Sequence, residues 1–432
     1  MELPATTVFT RLLNNKFRIS VYAAIVCFAC YTCIFAFRKA FNVAPYGGYS
    51  IAGIEYKVWL VITQVIGYML SKFYGIKFIS ELKRVNRGYI ILILVGISWI
   101  AWLLFALLPP PYNFWCLFFN GFPLGMLWGV VFSYVEGRRA TDFIGAALAV
   151  SFIFASGLAK STAQWVMNGW GVNEYWMPFI VGLIFMAPLL VFVFLMEKIP
   201  LPDKEDIKHR TERMPMTAEK RREFVQQFLT GIVLLVIIYI LVTILREIRD
   251  SFMADMWRES GEVFQPSVFA KTETTISLVI LIIIASLVLV KNNFRAFFLA
   301  QGIMLTGFIL CGIITWMFLQ KHVNTYYWTT FTGLGLYMVY IPYNSMLFDR
   351  LLASFKYAGT VGFLIYVADA FGYLGSVAVL LSKTILKLQI NWLNFYTSLV
   401  SVTSVAGVIA VTLSVLYFMN KRKTYKLNLT PP

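Results

Sequence analysis

The sequence predicts an all-α membrane protein, with twelve transmembrane helices in two six-helix bundles and both termini in the cytoplasm. Three observations predict it. Of the 432 residues, 59% are hydrophobic, 17% aromatic and only 13% charged, a balance foreign to soluble domains of this size. Runs of about twenty apolar residues, each enough to cross a ~30 Å hydrocarbon core, recur along the whole chain. Basic residues collect in alternate short loops, as they do on the cytoplasmic side of a membrane.

The runs cover residues 19–42, 57–80, 88–108, 113–135, 142–166, 177–197, 226–250, 268–290, 296–318, 325–347, 357–381 and 395–419. Arg11, Lys16 and Arg18 precede the first, Lys83, Arg84 and Arg87 follow the second, and Arg138 and Arg139 follow the fourth. A charged, proline-bearing stretch with Lys198, Lys204, Lys208, Arg210, Arg213 and Lys220 to Arg222 follows the sixth. Lys291 with Arg295, Arg350 with Lys356, and Lys421, Arg422, Lys423 and Lys426 continue the alternation. The opposite loops, such as Pro109-Pro110-Pro111 and 168–176, carry almost no basic residues, and the loop after the seventh run balances its charges. Topology therefore accounts for the formal charge of +16, and no aromatic-interleaved basic stripe points to nucleic acid. The organisation expected is an N-terminal bundle over 1–197, a cytoplasmic linker over 198–224 and a C-terminal bundle with a basic tail over 225–432. The first run is too long for a signal-peptide core and lacks a small-residue cleavage site, so it is expected to remain as a helix.

Cys27, Cys30 and Cys33 are spaced like metal ligands, yet no His or carboxylate in that run completes a set, and small buried thiols suit close helix packing. No nucleotide loop and no set of nucleophile, base and orienter emerges, so neither an enzyme nor a cofactor is expected. Trp99, Trp102, Trp115, Trp170 and Trp176 read as interfacial belts. His209 and His322 read as solvated.

Two arginines interrupt the apolar background, Arg38 late in the first run and Arg246 late in the seventh. An arginine at the centre of a bilayer helix costs about 2.5–3.5 kcal/mol on insertion scales, so such residues tend to face a bundle interior and mark a substrate path. One in each half suggests a site for an anion. The plainer reading is that they end tilted helices and snorkel to headgroups.

The surrounding residues carry a family resemblance. The first run reads Tyr31-Thr-Cys-Ile-Phe-Ala-Phe-Arg38-Lys39-Ala-Phe41 and the second Gly67-Tyr68-Met-Leu-Ser71-Lys72-Phe73. Gly125-Met126-Leu127-Trp128, Leu245-Arg246, Tyr340-Ile-Pro342, Ala358-Gly359-Thr360 and Phe371-Gly372-Tyr373-Leu374-Gly375 follow in order. Together they resemble the organophosphate:phosphate antiporters of the major facilitator superfamily, whose first helix carries Arg-Lys and whose second carries Tyr-x-x-Ser-Lys-Phe. That resemblance implies two halves related by a pseudo-two-fold axis along the membrane normal, with a midplane site between them. It implies that Arg38 and Arg246 hold a substrate phosphate, that Lys39 and Lys72 add positive charge, and that Tyr31, Tyr68, Trp128, Tyr340 and Tyr373 line the site. It further implies a multi-pass protein of a bacterial cytoplasmic membrane that exchanges a phosphorylated small metabolite for inorganic phosphate by alternating access. Its partners would be that anion and the lipid bilayer. A transporter-like receptor for an organophosphate and a proton-coupled organic anion symporter stay open beside it.

The chemistry agrees independently. A phosphoryl group carries about −1.5 to −2 charge at pH 7, and a guanidinium fork matches its oxygens with paired hydrogen bonds. Without an anion the two arginines are expected to repel, which would oppose closure and favour obligatory exchange.

Some residues depart from the pattern. Where the antiporters have a His in the fifth helix, this chain has Phe154, Ala155, Ser156 and Gly157; Lys160 either replaces that charge or snorkels outward. Glu247, Arg249 and Asp250 crowd behind Arg246 and read either as a gate of ion pairs or, the better fit given Asp255, Arg258 and Glu259 beyond them, as a solvated edge. Glu273 resembles an acidic residue of the family's eighth helix and would pair with a base when substrate is absent. Asp369 has no family counterpart and is the main argument for proton coupling. The superfamily loop after the second helix is degraded, with Glu81 in its acidic position.

Overall fold

Each apolar run becomes a helix because a segment surrounded by lipid or other helices must satisfy its backbone hydrogen bonds internally. The computed structural model describes residues 16–80, 87–135, 141–200, 218–355, 362–385 and 391–427. Its helices are α1 (Lys16–Lys39), α2 (Tyr56–Ser80), α3 (Arg87–Leu107), α4 (Cys116–Phe132), α5 (Thr141–Trp170), α6 (Met177–Glu197), α7 (Ala218–Glu259), α8 (Val268–Val288), α9 (Asn293–Leu319), α10 (Thr325–Ser345), the short α11 (Leu347–Ser354), α12 (Gly362–Ile385) and α13 (Trp392–Leu427). Asn292, Asn324 and Asn391 start α9, α10 and α13 by accepting the backbone N–H three residues on, which satisfies a donor the helix itself leaves open.

Nine segments among the described residues are long and apolar enough to cross a membrane. The other long helices, α2, α10 and α12, carry polar side chains that turn inward, including Lys57 and Gln64, Thr325, Thr329 and Thr332, and Asp369. Their lower hydropathy marks an interior polar face.

α7 differs most from its run. It spans 42 residues and bends at Phe228, whose φ of −117° and ψ of 16° leave the helical region. It begins within the stretch expected to be linker and continues past residue 250 through Glu259, where Asp255, Arg258 and Glu259 find partners on other elements.

Helix α1 packs on α5 and α6, α2 on α4, and α3 on α4 and α6; in the later part α7 packs on α12 and α13, α8 on α10, and α9 on α10 and α13. The two groups meet where α5 lies against α8 and α2 against α12. The α2–α4 crossing is close enough that a Cβ on Gly67 would come within 2.6 Å of the Phe118 carbonyl oxygen, the small-residue contact that lets membrane helices approach.

The end of the bundle where α1 stops and α2 starts, the far end, is capped by a 3-10 turn (Ala40–Val43) and a two-stranded hairpin, β1 (Ser50–Ile51) with β2 (Ile54–Glu55), in register Ser50 to Glu55. Beneath it Tyr46 packs edge-on against Tyr56, Phe105 and Tyr175. Trp102 is not a belt residue: it is 1% exposed and donates its indole N–H to the Phe37 carbonyl at 2.6 Å. The polar tip that suits tryptophan to an interface suits it equally to a helix carbonyl in the core. Trp99 is half-buried and donates to Phe179, whereas Trp115, Trp170 and Trp176 are exposed as expected. Cys27, Cys30 and Cys33 are buried in α1.

Candidate functional site

Helical spacing assembles the site. On α1, Tyr31 and Arg38 lie two turns apart with Lys39 beside them; on α7, Tyr239 and Arg246 repeat that spacing, followed by Glu247 and Asp250. Tyr68 and Lys72 on α2, and Asp369 and Tyr373 on α12, are each one turn apart, so each pair shares a face.

Glu247 sits at the centre. Its carboxylate accepts from Lys39 Nζ at 2.9 Å and from Arg246 Nη2 at 3.2 Å, and Arg38 Nη2 lies 3.8 Å away. The two arginines therefore do converge, but with a carboxylate between them. The repulsion expected of an empty site is relieved from within the chain. Arg38 also lies 3.6 Å above the centre of the Tyr68 ring, and Arg246 lies 4.5 Å above Tyr340 and donates to the Tyr373 hydroxyl at 3.2 Å. Guanidinium planes stacked on aromatic faces are held without consuming their N–H donors. Arg38 Nε and Nη2 and Arg246 Nε have no hydrogen-bond acceptor among the described residues.

Around this centre run further buried ion pairs. Lys39 reaches Asp250 at 2.7 Å, Lys160 reaches the other Asp250 oxygen at 2.5 Å, and Ser156 donates to the same carboxylate. Lys160 points inward and does not snorkel. Arg249 pairs with Glu273 at 2.7 Å and donates to the Thr329 carbonyl at 3.0 Å. Glu247, Arg249 and Asp250 are all buried, so the solvated edge is replaced by paired charges. An exposed edge and a buried seam read alike in sequence, since both need alternating charge; only the partner helices tell them apart.

Toward the near end, where α1 begins and α13 ends, Asp369 bonds Lys72 from α2 and Tyr239 from α7, and Tyr239 approaches the Tyr340 hydroxyl at 3.4 Å. Tyr68 meets Tyr373 edge-on at 5.6 Å, an aromatic contact between α2 and α12. At the far end Lys57 reaches Asp255 at 2.5 Å and the Asn42 carbonyl at 2.8 Å, while Arg258 reaches Asp255 at 2.8 Å.

Tyr31 packs against Phe35 and Phe152 and also meets Tyr68 at the edge of the site. Trp128 stacks on Phe132 of its own helix at 5.0 Å, its indole N–H without an acceptor among the described residues. The sequence reading missed Tyr239, although the repeated Tyr-to-Arg interval on the first and seventh runs was available to find it. It also missed Lys57 and Asn42, which look like ordinary loop-edge residues until α7 extends to meet them. Glu81, His209 and the Ala358-Gly359-Thr360 stretch lie outside the described residues.

Six cations (Arg38, Lys39, Lys72, Lys160, Arg246, Arg249) thus share four carboxylates (Glu247, Asp250, Glu273, Asp369). The surplus of positive charge, held where solvent is scarce, favours an anion.

The chain is similar in fold to solved transporters. A bacterial homologue of the human drug peptide transporters PepT1 and PepT2 aligns over 94% of this chain and 98% of its own, with TM-score 0.57 and 13% identity. A POT family transporter in complex with a thioalcohol-conjugated peptide aligns over 93% and 96%, with TM-score 0.60 and 12% identity. A bacterial homologue of the human lysosomal transporter Spinster, inward-facing and unoccupied, aligns over 96% and 99%, with TM-score 0.52 and 11% identity. The architecture is accordingly the major facilitator fold of a multi-pass membrane protein. No curated protein matches the chain. Residues 40–421 match DUF5690, described as a family of unknown function, and the chain belongs to that family.

Proposed function

We propose that this protein is a secondary transporter that moves a small anionic metabolite by alternating access. The phosphorylated class is favoured, with inorganic phosphate as an exchangeable counter-substrate. One observation carries the reading: an arginine from α1 and an arginine from α7 converge on a single carboxylate, within a buried cluster whose cations outnumber its carboxylates and whose guanidinium groups keep N–H donors without an acceptor among the described residues. The surplus of two positive charges among these groups is about the charge of a phosphoryl group at pH 7. In this reading the halves are 1–197 and 225–432, joined by 198–224, with both termini cytoplasmic and the far end facing outward. Lys39, Lys72, Tyr68, Tyr340 and Tyr373 surround the anion.

The test is counterflow. Purified protein in liposomes loaded with unlabelled phosphate is expected to accumulate labelled phosphate from outside. Arg38→Lys and Arg246→Lys, which keep the charge and lose the fork, are each expected to reduce the rate by roughly two to three orders of magnitude, as loss of a bidentate charge-assisted pair in a dry site does. Wild-type rates in both variants would refute the arginine pair as the anion site. Asp369 supports a second reading, proton-coupled symport, because an intramembrane carboxylate bonded to a lysine and a tyrosine is placed to exchange a proton. Uptake driven by a pH gradient alone would favour it.

A further inference from the structure

Among the described residues Glu247 is the carboxylate that lies against both Arg38 of α1 and Arg246 of α7, and anion transport does not by itself require one there. Its side chain is 1% exposed, and it is bound by Lys39 and Arg246, with Arg38 at 3.8 Å. The three cations come from α1 and α7, helices that alternating access must move relative to each other. A carboxylate there presents two oxygens to two guanidinium groups, which is also what a bound oxyanion would present. Geometry, charge and burial thus place an anion of the chain's own where the substrate anion is expected.

We propose that Glu247 is a built-in counter-ion that stands in for the substrate when the site is empty, so that the protein returns unloaded and performs net anion transport, with exchange as an option and not a requirement. The inference rests on the anion-transport reading above. An incoming oxyanion competes with Glu247 for Arg38 and Arg246, while Lys39 retains the displaced carboxylate. Loaded and empty forms then both carry a bridging anion, and both can close the gap between α1 and α7. Without Glu247 the empty form would hold unscreened like charges in a medium of low dielectric constant, and closing it would be costly.

Two measurements decide this, and they separate its failure from that of the reading beneath it. The first needs no transport. Spin labels on Tyr112→Cys and Lys321→Cys, both exposed at the far end, report the separation of the two halves in purified, anion-free protein. Glu247→Gln is expected to lengthen the dominant distance, and Glu247→Asp to change it in the same direction by less, which serves if the Gln variant does not fold. An unchanged distribution in either folded variant would overturn the role of Glu247. Adding inorganic phosphate to the Gln variant should restore the short distance. A lengthening that phosphate does not reverse would support the counter-ion and count against phosphate as the transported anion.

The second measurement compares labelled phosphate uptake into empty and phosphate-loaded liposomes. The wild type is expected to fill empty liposomes at a rate within about tenfold of exchange, and Glu247→Gln to lose that net component while keeping exchange. Strict exchange by the wild type would overturn net transport. Absence of both fluxes would refute the phosphate reading and leave the distance measurement to decide on Glu247.

Discussion

At the residue scale the charges that matter are paired across elements. Lys72 and Asp369 join α2 to α12, and Asp369 also accepts from Tyr239 of α7. Removing one member of a fully buried pair leaves the other uncompensated and costs about 3–5 kcal/mol, whereas removing both costs far less; Lys72 is partly exposed, so the imbalance here is smaller and of the same sign. Asp369→Asn and Lys72→Gln are therefore each expected to lower the melting temperature in detergent, and the double variant to melt higher than the sum of the single effects allows. Additive losses would mean that the two side chains do not act on each other. Arg38 and Arg246 drew attention in the sequence because a base in an apolar run is costly, and Lys39 and Lys72 because they stand in the stretches that carry the family resemblance. What Lys39 and Lys72 touch was not legible, since their acceptors stand roughly two to three hundred residues away along the chain.

At the element scale the meeting of α5 and α8 fixes the far half of the site. A Cβ on Gly157 would lie 2.5 Å from the Phe269 carbonyl oxygen and 2.6 Å from Glu273 Cβ, and Ser161 both donates to the Pro266 carbonyl and accepts from the Ala270 N–H. Lys160 and Glu273 are set by that crossing. Overpacking such a contact costs about 1–3 kcal/mol, and each 1.4 kcal/mol that separates two conformations changes their ratio about tenfold. Gly157→Ala should thus weaken the contact and expose the Asp250 neighbourhood. A cysteine at Ser156, a buried position, should react with an impermeant thiol reagent about tenfold faster in the Gly157→Ala background; equal rates would show that α5 and α8 absorb the methyl without parting. The Phe154-Ala155-Ser156-Gly157 stretch read in sequence as the loss of a family histidine. In the fold, its smallest residues allow the close crossing, and Ser156 serves Asp250.

At the scale of the whole molecule, alternation of basic loops predicts that both termini face the cytoplasm. Reporter fusions at residue 1 and residue 432 should both show the cytoplasmic signal, and a fusion in the 168–176 loop the opposite one. A reversed pattern would exchange the faces assigned to the near and far ends without altering the site. At the far end Lys57 with Asp255 ties α2 to α7, and Lys383 and Trp392 with Glu55 tie α12 and α13 to β2. Those ties explain why α7 continues as a helix beyond its apolar run. Its extra turns carry Asp255 and Arg258 to partners on α2 and the turn after α1.

The sequence by itself determined the membrane class, the order and approximate limits of the apolar helices, and the residues whose charge demanded a purpose. These follow from properties local to a run, its length, hydropathy and flanking charges, which the bilayer reads one segment at a time. Only the tertiary structure decided that Glu247 stands between Arg38 and Arg246, that Lys160 turns inward to Asp250, that Trp102 is core, and that Asp369 belongs to Lys72 and Tyr239. A charge buried among helices is defined by its counter-charge, and the counter-charge is chosen by how helices distant in sequence cross.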